Sequence, residues 1–213
     1  MKRRQTCALI CLACVVAGCS LPGARKQAIS HFVLETPVTS GPPPVLPAQT
    51  VKPVLLLRDA EPGGFAESLR LIYSRTPGTQ AHYQYAYWNE APRKRLQVLL
   101  RQRLLASGLY AGVVPLGAGV SGDYQLNFRL IDFYHDAGQA PGLARIKLDV
   151  ELVDRSNARL VAQQVFVGQS VLENPTAVAA AAGLGLATGQ AFDAMVAWLS
   201  RVQPFTLNAV QAR

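Results

Sequence analysis

Hydrophobic and polar residues alternate along several stretches of the chain, and this period of two is typical of β-strands with one buried face. Tyr124–Leu130 and Ile146–Leu152 alternate cleanly, and Leu160–Val167 continues the pattern more loosely. Asp154–Asn157 supplies turn residues between the last two stretches. Residues 145–168 are therefore predicted to form an antiparallel β-hairpin with one solvated face.

Three shorter apolar stretches precede these strands. His31–Leu34 is a candidate first strand, and Leu69–Ser74 is another one further along the chain. Val54–Leu57 is apolar throughout, as expected of a strand that is buried on both faces. These stretches predict that the sheet begins well before the hairpin.

His82–Trp88 also alternates, and a regular strand would place Tyr83, Tyr85 and Tyr87 on one side. A stripe of tyrosines can serve as a platform for a ligand. The simpler interpretation is a half-buried sheet face, because tyrosine suits a surface that is partly apolar and partly wet.

A first helix is predicted over residues 93–107. Asn89–Pro92 is typical of a helix start, because proline near the first turn loses no hydrogen bond, and Gly108 is a suitable end. Apolar residues recur at spacings of three and four, namely Leu96, Leu99, Leu100 and Leu104. The helix is also basic, through Arg93, Lys94, Arg101 and Arg103. A basic face either docks on lipid headgroups or an acidic partner, or is simply solvated.

A second helix is predicted from Asn174–Thr176 to about Val202, with apolar positions at helical spacing. Its apolar part, residues 177–187, is too short to span a bilayer, which needs roughly 20 residues, so a core helix is expected. Gly185 and Gly189 would allow a strand or another helix to approach this helix closely. The elements together predict an α+β domain with a mixed, largely antiparallel sheet packed against two main helices.

The amino terminus has the pattern of a secreted lipoprotein. Lys2–Arg4 is positively charged, and an apolar stretch of 11 residues, Cys7–Ala17, follows it. Val16–Cys19 resembles the lipobox at which bacterial lipoproteins are cleaved and acylated. Residues 1–18 are therefore predicted to be a lipoprotein signal peptide, and Cys19 is predicted to carry acyl groups such as palmitate. The alternative is an ordinary signal peptide that happens to contain a cysteine.

Cysteine usage and charge fit that prediction. The other three cysteines, Cys7, Cys11 and Cys14, lie inside the segment to be removed, so intramolecular disulfides and cysteine metal sites are excluded from the mature chain. Removal of 18 of the 213 residues leaves 195 and takes away three of the 21 cations, so the formal charge falls from +8 to +5. That charge is too generic to name a partner, and export excludes nucleic acid.

The mature chain is predicted to divide into a lipidated tether (residues 19–28), one α/β domain (29–203) and a carboxyl-terminal tail (204–213). Ser20 stands where Asp would favour retention in the inner membrane. We therefore expect a lipid anchor on the periplasmic face of the outer membrane, with the periplasmic face of the inner membrane as the alternative. The proline-rich residues 37–53 are interpreted as a spacer.

The sequence offers no catalytic, cofactor or metal constellation. Gly117–Gly122 matches the dinucleotide pattern G-x-G-x-x-G, but an alternating strand follows where that site needs a helix, so a loop between strands is expected. Asp132 and Asp136 flank His135, which could be a catalytic dyad or, more simply, solvated loop charges. The chain is therefore predicted not to be an enzyme and to need no cofactor.

Three stretches resemble the ABC-type transport auxiliary lipoproteins, which include the lipoprotein partners of paraquat-inducible and other MCE-type lipid-transport systems. They are a Tyr-x-Arg strand in Leu71–Arg75, a tyrosine-rich strand with Trp and Pro at a helix start in Tyr83–Pro92, and a small-Gly-aromatic helix exit in Leu104–Tyr110. The closing helix with Ala197–Leu199 also fits. The likeness covers roughly residues 29–202, and the proline-rich segment before Val54 departs from it.

The resemblance implies a mixed α/β fold without enzymatic activity, working with an ABC permease and ATPase and with an MCE protein that bridges the periplasm. A non-catalytic adaptor at the outer membrane is the leading hypothesis. A domain that itself receives a lipid is the second, and an enzyme using Asp132 and His135 is the third. A homo-oligomer is compatible with the sequence. Trp88 and Pro92 match the family pattern and are interpreted as packing residues.

Overall fold

The computed structural model describes residues 28–37, 51–60 and 67–202. Within these ranges the chain forms eight strands and two long helices, which confirms the predicted α+β class. The elements are β1 Ser30–Phe32, β2 Val54–Asp59, β3 Arg70–Ser74, β4 Ala81–Trp88, α1 Pro92–Ala106, β5 Gly112–Pro115, β6 Tyr124–Asp136, β7 Leu143–Asp154, β8 Arg159–Val171 and α2 Ala177–Val202.

All eight strands belong to one mixed sheet in which β6 is central. On one side, β6 pairs with β7 and β7 with β8, and these two long ladders are antiparallel. On its other side, β6 pairs in parallel with β2 along its first half and with β3 at its end. Strand β2 continues to β5, whereas β3 continues through β4 to β1, so the sheet forks beside β6.

The predicted hairpin is confirmed as β7 and β8, with strands that are longer than their sequence pattern. Asp154 stabilises the turn, because its Oδ1 accepts hydrogen bonds from the backbone N–H and the hydroxyl of Ser156. Its other oxygen accepts a bond from Asn157. These are the bonds that favour Asp and Asn in turns.

Strand β6 runs six residues beyond the predicted end of its pattern at Leu130. A register shift between Leu130 and Asp132 reverses which residues face inward. Phe128 is buried before the shift, and Phe133 and His135 are buried after it. The prediction of a loop around His135 is therefore wrong. The strand continues, and beyond the shift its odd-numbered residues face inward.

The sequence predicts no strand at β5, since four residues are too few for a recognisable pattern. It lies beside β2 and in parallel with it. Residues 117–122 then lead directly into β6, which confirms the predicted loop between strands. Gly117 and Gly119 both have positive φ angles, which glycine adopts without strain.

Helix α2 packs on the inner face of β6, β7 and β8, and this interface forms most of the core. The predicted helix and its apolar positions are confirmed, and α1 likewise ends at a left-handed Gly108. The buried residues at the interface include Leu126, Phe128, Ile146, Leu148, Val150, Phe166, Leu184, Ala187, Ala191, Met195 and Leu199.

Residues Leu34–Pro37, here called the N-terminal strap, cross helix α2 at two of its three glycines. A Cβ on Gly185 would overlap the carbonyl of Glu35, and a Cβ on Gly189 would lie 3.2 Å from the ring of Pro37. The predicted close approach at these glycines is therefore confirmed, but the approaching segment is irregular backbone and not the expected strand or helix. The chain that leaves the tether is thus packed against the body of the domain.

Arg103 of α1 fastens the strap to α2. Its guanidinium donates hydrogen bonds to the carbonyl of Pro37, at 2.6 Å, and to the carboxylate of Asp193. Arg95 donates to the carbonyl of Leu34 at 2.9 Å. Arg103 is only 8 % exposed, so the interpretation of the basic helix face as simply solvated is wrong at this position.

Candidate functional site

An open cleft of about 550 Å³ lies where β3 and β6 end, β4 begins and α2 starts. We call it the aromatic cleft. Its size lies within the range of small-molecule sites in proteins, roughly 300–1,000 Å³. It is lined by Tyr73, Arg75, His82, Tyr83, Gln84, His135, Ala137, Gln139, Ala140, Pro141 and Pro175.

The sheet register brings the aromatic side chains of this cleft together. Tyr73 pairs with His135 across the β3–β6 ladder and with Ala81 across the β3–β4 ladder. Tyr83, two residues further along β4, packs edge to face on Tyr73 with ring centroids 5.1 Å apart. The ring of Tyr83 also stacks on the imidazole of His135 at 6.2 Å.

His135 is the buried polar group of the cleft, with 1 % of its surface exposed. Its Nδ1 lies 2.7 Å from the hydroxyl of Tyr83, so the two side chains share a hydrogen bond. Burial lowers the pKa of His135, although the backbone of Pro141 and the charge of Asp136 act in the opposite direction. The imidazole is therefore neutral at pH 7, which removes it as a source of positive charge.

Arg75 contributes a positive charge to the lining of the cleft. Its guanidinium lies over the ring of Tyr73, 5.2 Å from the centroid, where cation–π attraction holds it. Its charge opposes the rise in the pKa of Tyr83 that burial causes. The exposed His82 lies on the same rim. No carboxylate is among the described residues that line this cleft.

The structure does not bring the proposed dyad of Asp132 and His135 together. The two residues are three apart in a strand after its bulge, so their side chains point to opposite faces. Asp132 lies on the outer face with Tyr134. Burial is the main cause that raises the pKa of Tyr134, and the negative charge of Asp132 raises it further. Asp136 on that face pairs with Arg145, with 2.8 Å between Oδ2 and Nε.

The tyrosine stripe of β4 does not lie on one side, and the prediction that it does is wrong. The β3–β4 register shifts between Arg70 and Ile72. Tyr83 consequently faces His135, whereas Tyr87 stacks on His31 with centroids 5.8 Å apart and lies below the guanidinium of Arg70. All three tyrosines are partly buried, as the simpler interpretation expected.

Trp88 and Pro92 are packing residues, as interpreted from the sequence. Trp88 is buried between Phe32 and Phe133, and Pro92 is buried at the first turn of α1. Cys19, the predicted acylation site, lies outside the described residues, as do the signal peptide and most of the proline-rich segment. Its lipidation stays a prediction.

Tyr73 and Arg75 form the Tyr-x-Arg of the family pattern, but no site is predicted for them from the sequence. The spacing of two is the available signal, because it places Tyr73 in β3 and Arg75 just after its end on the same side of the chain. The described part of the chain holds no group of three His, Cys, Asp or Glu side chains that could bind a metal. Among the described helices, none has the length and apolarity to cross a bilayer.

Comparison with known proteins gives both a family and a fold. A family model described as "ABC-type transport auxiliary lipoprotein component" matches residues 32–196. The crystal structure of a protein from Xanthomonas campestris is 26% identical and covers 79% of this chain and 94% of its own, with a TM-score of 0.69. A second crystal structure, of an uncharacterized protein, is 14% identical and covers 81% and 99%, with a TM-score of 0.62. No curated protein matches the chain.

Proposed function

The chain belongs to the ABC-type transport auxiliary lipoprotein family, and from this premise we propose that it is a non-catalytic adaptor in an MCE-type lipid-transport system. In this role it would stand on the outer membrane and hold the MCE protein that bridges the periplasm. The ABC permease and ATPase would lie at the inner membrane. The family match over residues 32–196 is the observation that carries the proposal.

The packing of the core favours an adaptor over a carrier that holds a lipid inside the fold. The side chains between α2 and the sheet are buried and in mutual contact, as in the interior of an ordinary globular domain. A carrier would need an apolar cavity in this interface. The inner face of the β6–β8 sheet is instead covered by α2.

The outer face of β8 is suited to contact with another protein. Strand β8 pairs only with β7 among the described strands, and Val165, Val167 and Val171 on its outer face are 47 %, 53 % and 69 % exposed. Apolar side chains on a long edge strand are a common site of association. We place the contact with the MCE protein on these valines.

The predicted lipid on Cys19 would make a modest affinity sufficient. Two or three acyl chains hold a protein on a membrane essentially permanently. Confinement beside the membrane raises the effective concentration for a partner that reaches the same surface. Labelling with radioactive palmitate should mark the wild-type protein and leave Cys19→Ala unmarked; an unmarked wild-type protein would refute the anchor.

The adaptor role is tested by affinity purification of the full-length lipoprotein from membranes in several detergents. The MCE protein or the permease should be recovered with it. Val167→Glu should reduce recovery at least tenfold, because it places a charge in the apolar contact. Val120→Glu is the control, since Val120 is similarly exposed in the loop before β6.

Failure to recover either partner in every detergent would refute the adaptor role. Equal recovery with Val167→Glu and wild type would instead refute the placement of the contact on β8, while the adaptor role would stand.

A further inference from the structure

A second hollow, of about 260 Å³, adjoins the aromatic cleft and differs from it in chemistry. The two hollows share Tyr83 and Gln84 in their walls. The second one, here called the apolar hollow, lies between β1, β4 and the first turn of α2. It is lined by Ala28, Ser30, Phe32, Tyr83, Gln84, Tyr85, Ala86, Thr176, Ala177 and Val178.

Charge separates the two hollows. The aromatic cleft holds the guanidinium of Arg75, and among the described residues no ion pair with a carboxylate occupies this group. The described lining of the apolar hollow contains no charged side chain, and its outer rim is the exposed Val178. Because the two hollows share Tyr83 and Gln84, one surface leads from a cationic end at Arg75 to an apolar end at Val178.

From this juxtaposition we propose that the joined hollows bind a single-chain anionic amphiphile, such as a fatty acid or a lysophospholipid. The anionic group lies beside Arg75, because a guanidinium pairs strongly with carboxylates and phosphates. The acyl chain lies over Tyr83 and along Phe32 and Ala177. The inference does not depend on the transporter role, since it concerns a ligand of the domain itself.

The neutral pair of Tyr83 and His135 supports this arrangement. The hydrogen bond between them ties up the phenol hydroxyl, so Tyr83 presents its ring to the ligand at the boundary of the two hollows. The buried imidazole adds no charge that would hold the anionic group away from Arg75. The positive charge at one end and the apolar residues at the other therefore fix the orientation of the bound ligand.

The test uses full-length lipoprotein in phosphatidylcholine nanodiscs and a palmitic acid that carries a photoreactive diazirine on its chain. Mass spectrometry of the crosslinked peptides should place the label on residues 28–32, 83–86 or 176–178. Arg75→Gln and Val178→Glu should each reduce this label about tenfold, as the loss of a charge-assisted bond or of apolar contact predicts. Arg155→Gln, at an exposed turn, should leave the label unchanged.

Competition identifies what the site recognises. Lysophosphatidylglycerol should displace the probe, whereas inorganic phosphate at the same concentration should not. Displacement by phosphate would mean an anion site without chain recognition and would overturn the proposal. So would equal labelling by the uncharged diazirine alcohol, labelling spread over other peptides, or full labelling of Arg75→Gln.

Discussion

Helix α2 has two regions that differ in the role of the arginine that lies near them. Its middle, from Gly185 to Asp193, lies under the N-terminal strap and against β8, and Arg103 there bonds both the strap and α2. Its first turn borders the apolar hollow, which adjoins the aromatic cleft, where Arg75 lies over the ring of Tyr73. The guanidinium of Arg103 in the packed middle connects elements of the fold, whereas that of Arg75 in the aromatic cleft faces outward. Substitutions should therefore cost stability in the first region and ligand binding in the second.

The largest effect is expected at Gly168 of β8. A Cβ at this position would overlap the backbone carbonyl of Ala187, and a backbone atom cannot rotate away. Gly168→Val should force α2 away from the sheet and lower the free energy of unfolding by about 3 kcal/mol, as overpacking of a core does. Urea denaturation measures this change. The chosen control is Gly112→Val, because a Cβ on Gly112 of β5 meets nothing within 4 Å. Equal losses in both variants would show that the packed middle is not specially tight.

A smaller loss is expected from Arg103→Met, which keeps the buried stem and removes the guanidinium. The carbonyl of Pro37 and the carboxylate of Asp193 then lose a charged donor, at a cost of about 2 kcal/mol. The same change at the cleft, Arg75→Met, should stay within about 0.5 kcal/mol because that arginine is exposed. Parallel denaturation of the two variants makes the comparison direct. A loss at Arg75 as large as that at Arg103 would remove the distinction between the two regions.

The sequence predicts the packed middle of α2 better than the hollows, and the reason is local. Glycine inside a helix costs about 1 kcal/mol relative to alanine, so Gly185 and Gly189 indicate close approach without any knowledge of the partner. The helical spacing of the buried residues likewise depends on neighbours within a few turns. In contrast, which segment forms the strap, and that Arg103 is buried beneath it, depend on contacts between residues more than 60 positions apart in the chain. Local patterns do not reveal such contacts.

Register shifts explain why the aromatic cleft was not predicted. A one-residue shift exchanges the two faces of a strand, so an alternation read on one side of a bulge gives the wrong face beyond it. The alternating pattern of β6 therefore ends at Leu130, and the sequence predicts loop charges around His135. The shift between β3 and β4 likewise separated Tyr83 from Tyr87. Both residues that form the buried hydrogen bond of the cleft lie beyond such a shift.

The smallest predicted effect concerns His135, which belongs to the cleft but is buried like the packed middle. Burial lowers its pKa in the folded protein below the ordinary value of 6.5, to which the unfolded chain should stay close. Below pH 6.5 the unfolded chain therefore binds more protons than the folded one, and stability must fall as the pH is lowered. Above pH 6.5 both states are neutral at this side chain, and its contribution is complete.

His135→Gln removes this titration and keeps a polar partner for the hydroxyl of Tyr83. The free energy of unfolding of this variant should consequently depend less on pH between 6.5 and 5 than that of the wild type. His82→Gln is the matched control, because His82 lies on the exposed rim of the same cleft. Urea denaturation at half-unit pH steps measures the slopes. If His82→Gln reduced the pH dependence of the free energy of unfolding as much as His135→Gln, burial of His135 would have no special effect on stability. The distinction between the packed and the open region would then not hold at His135.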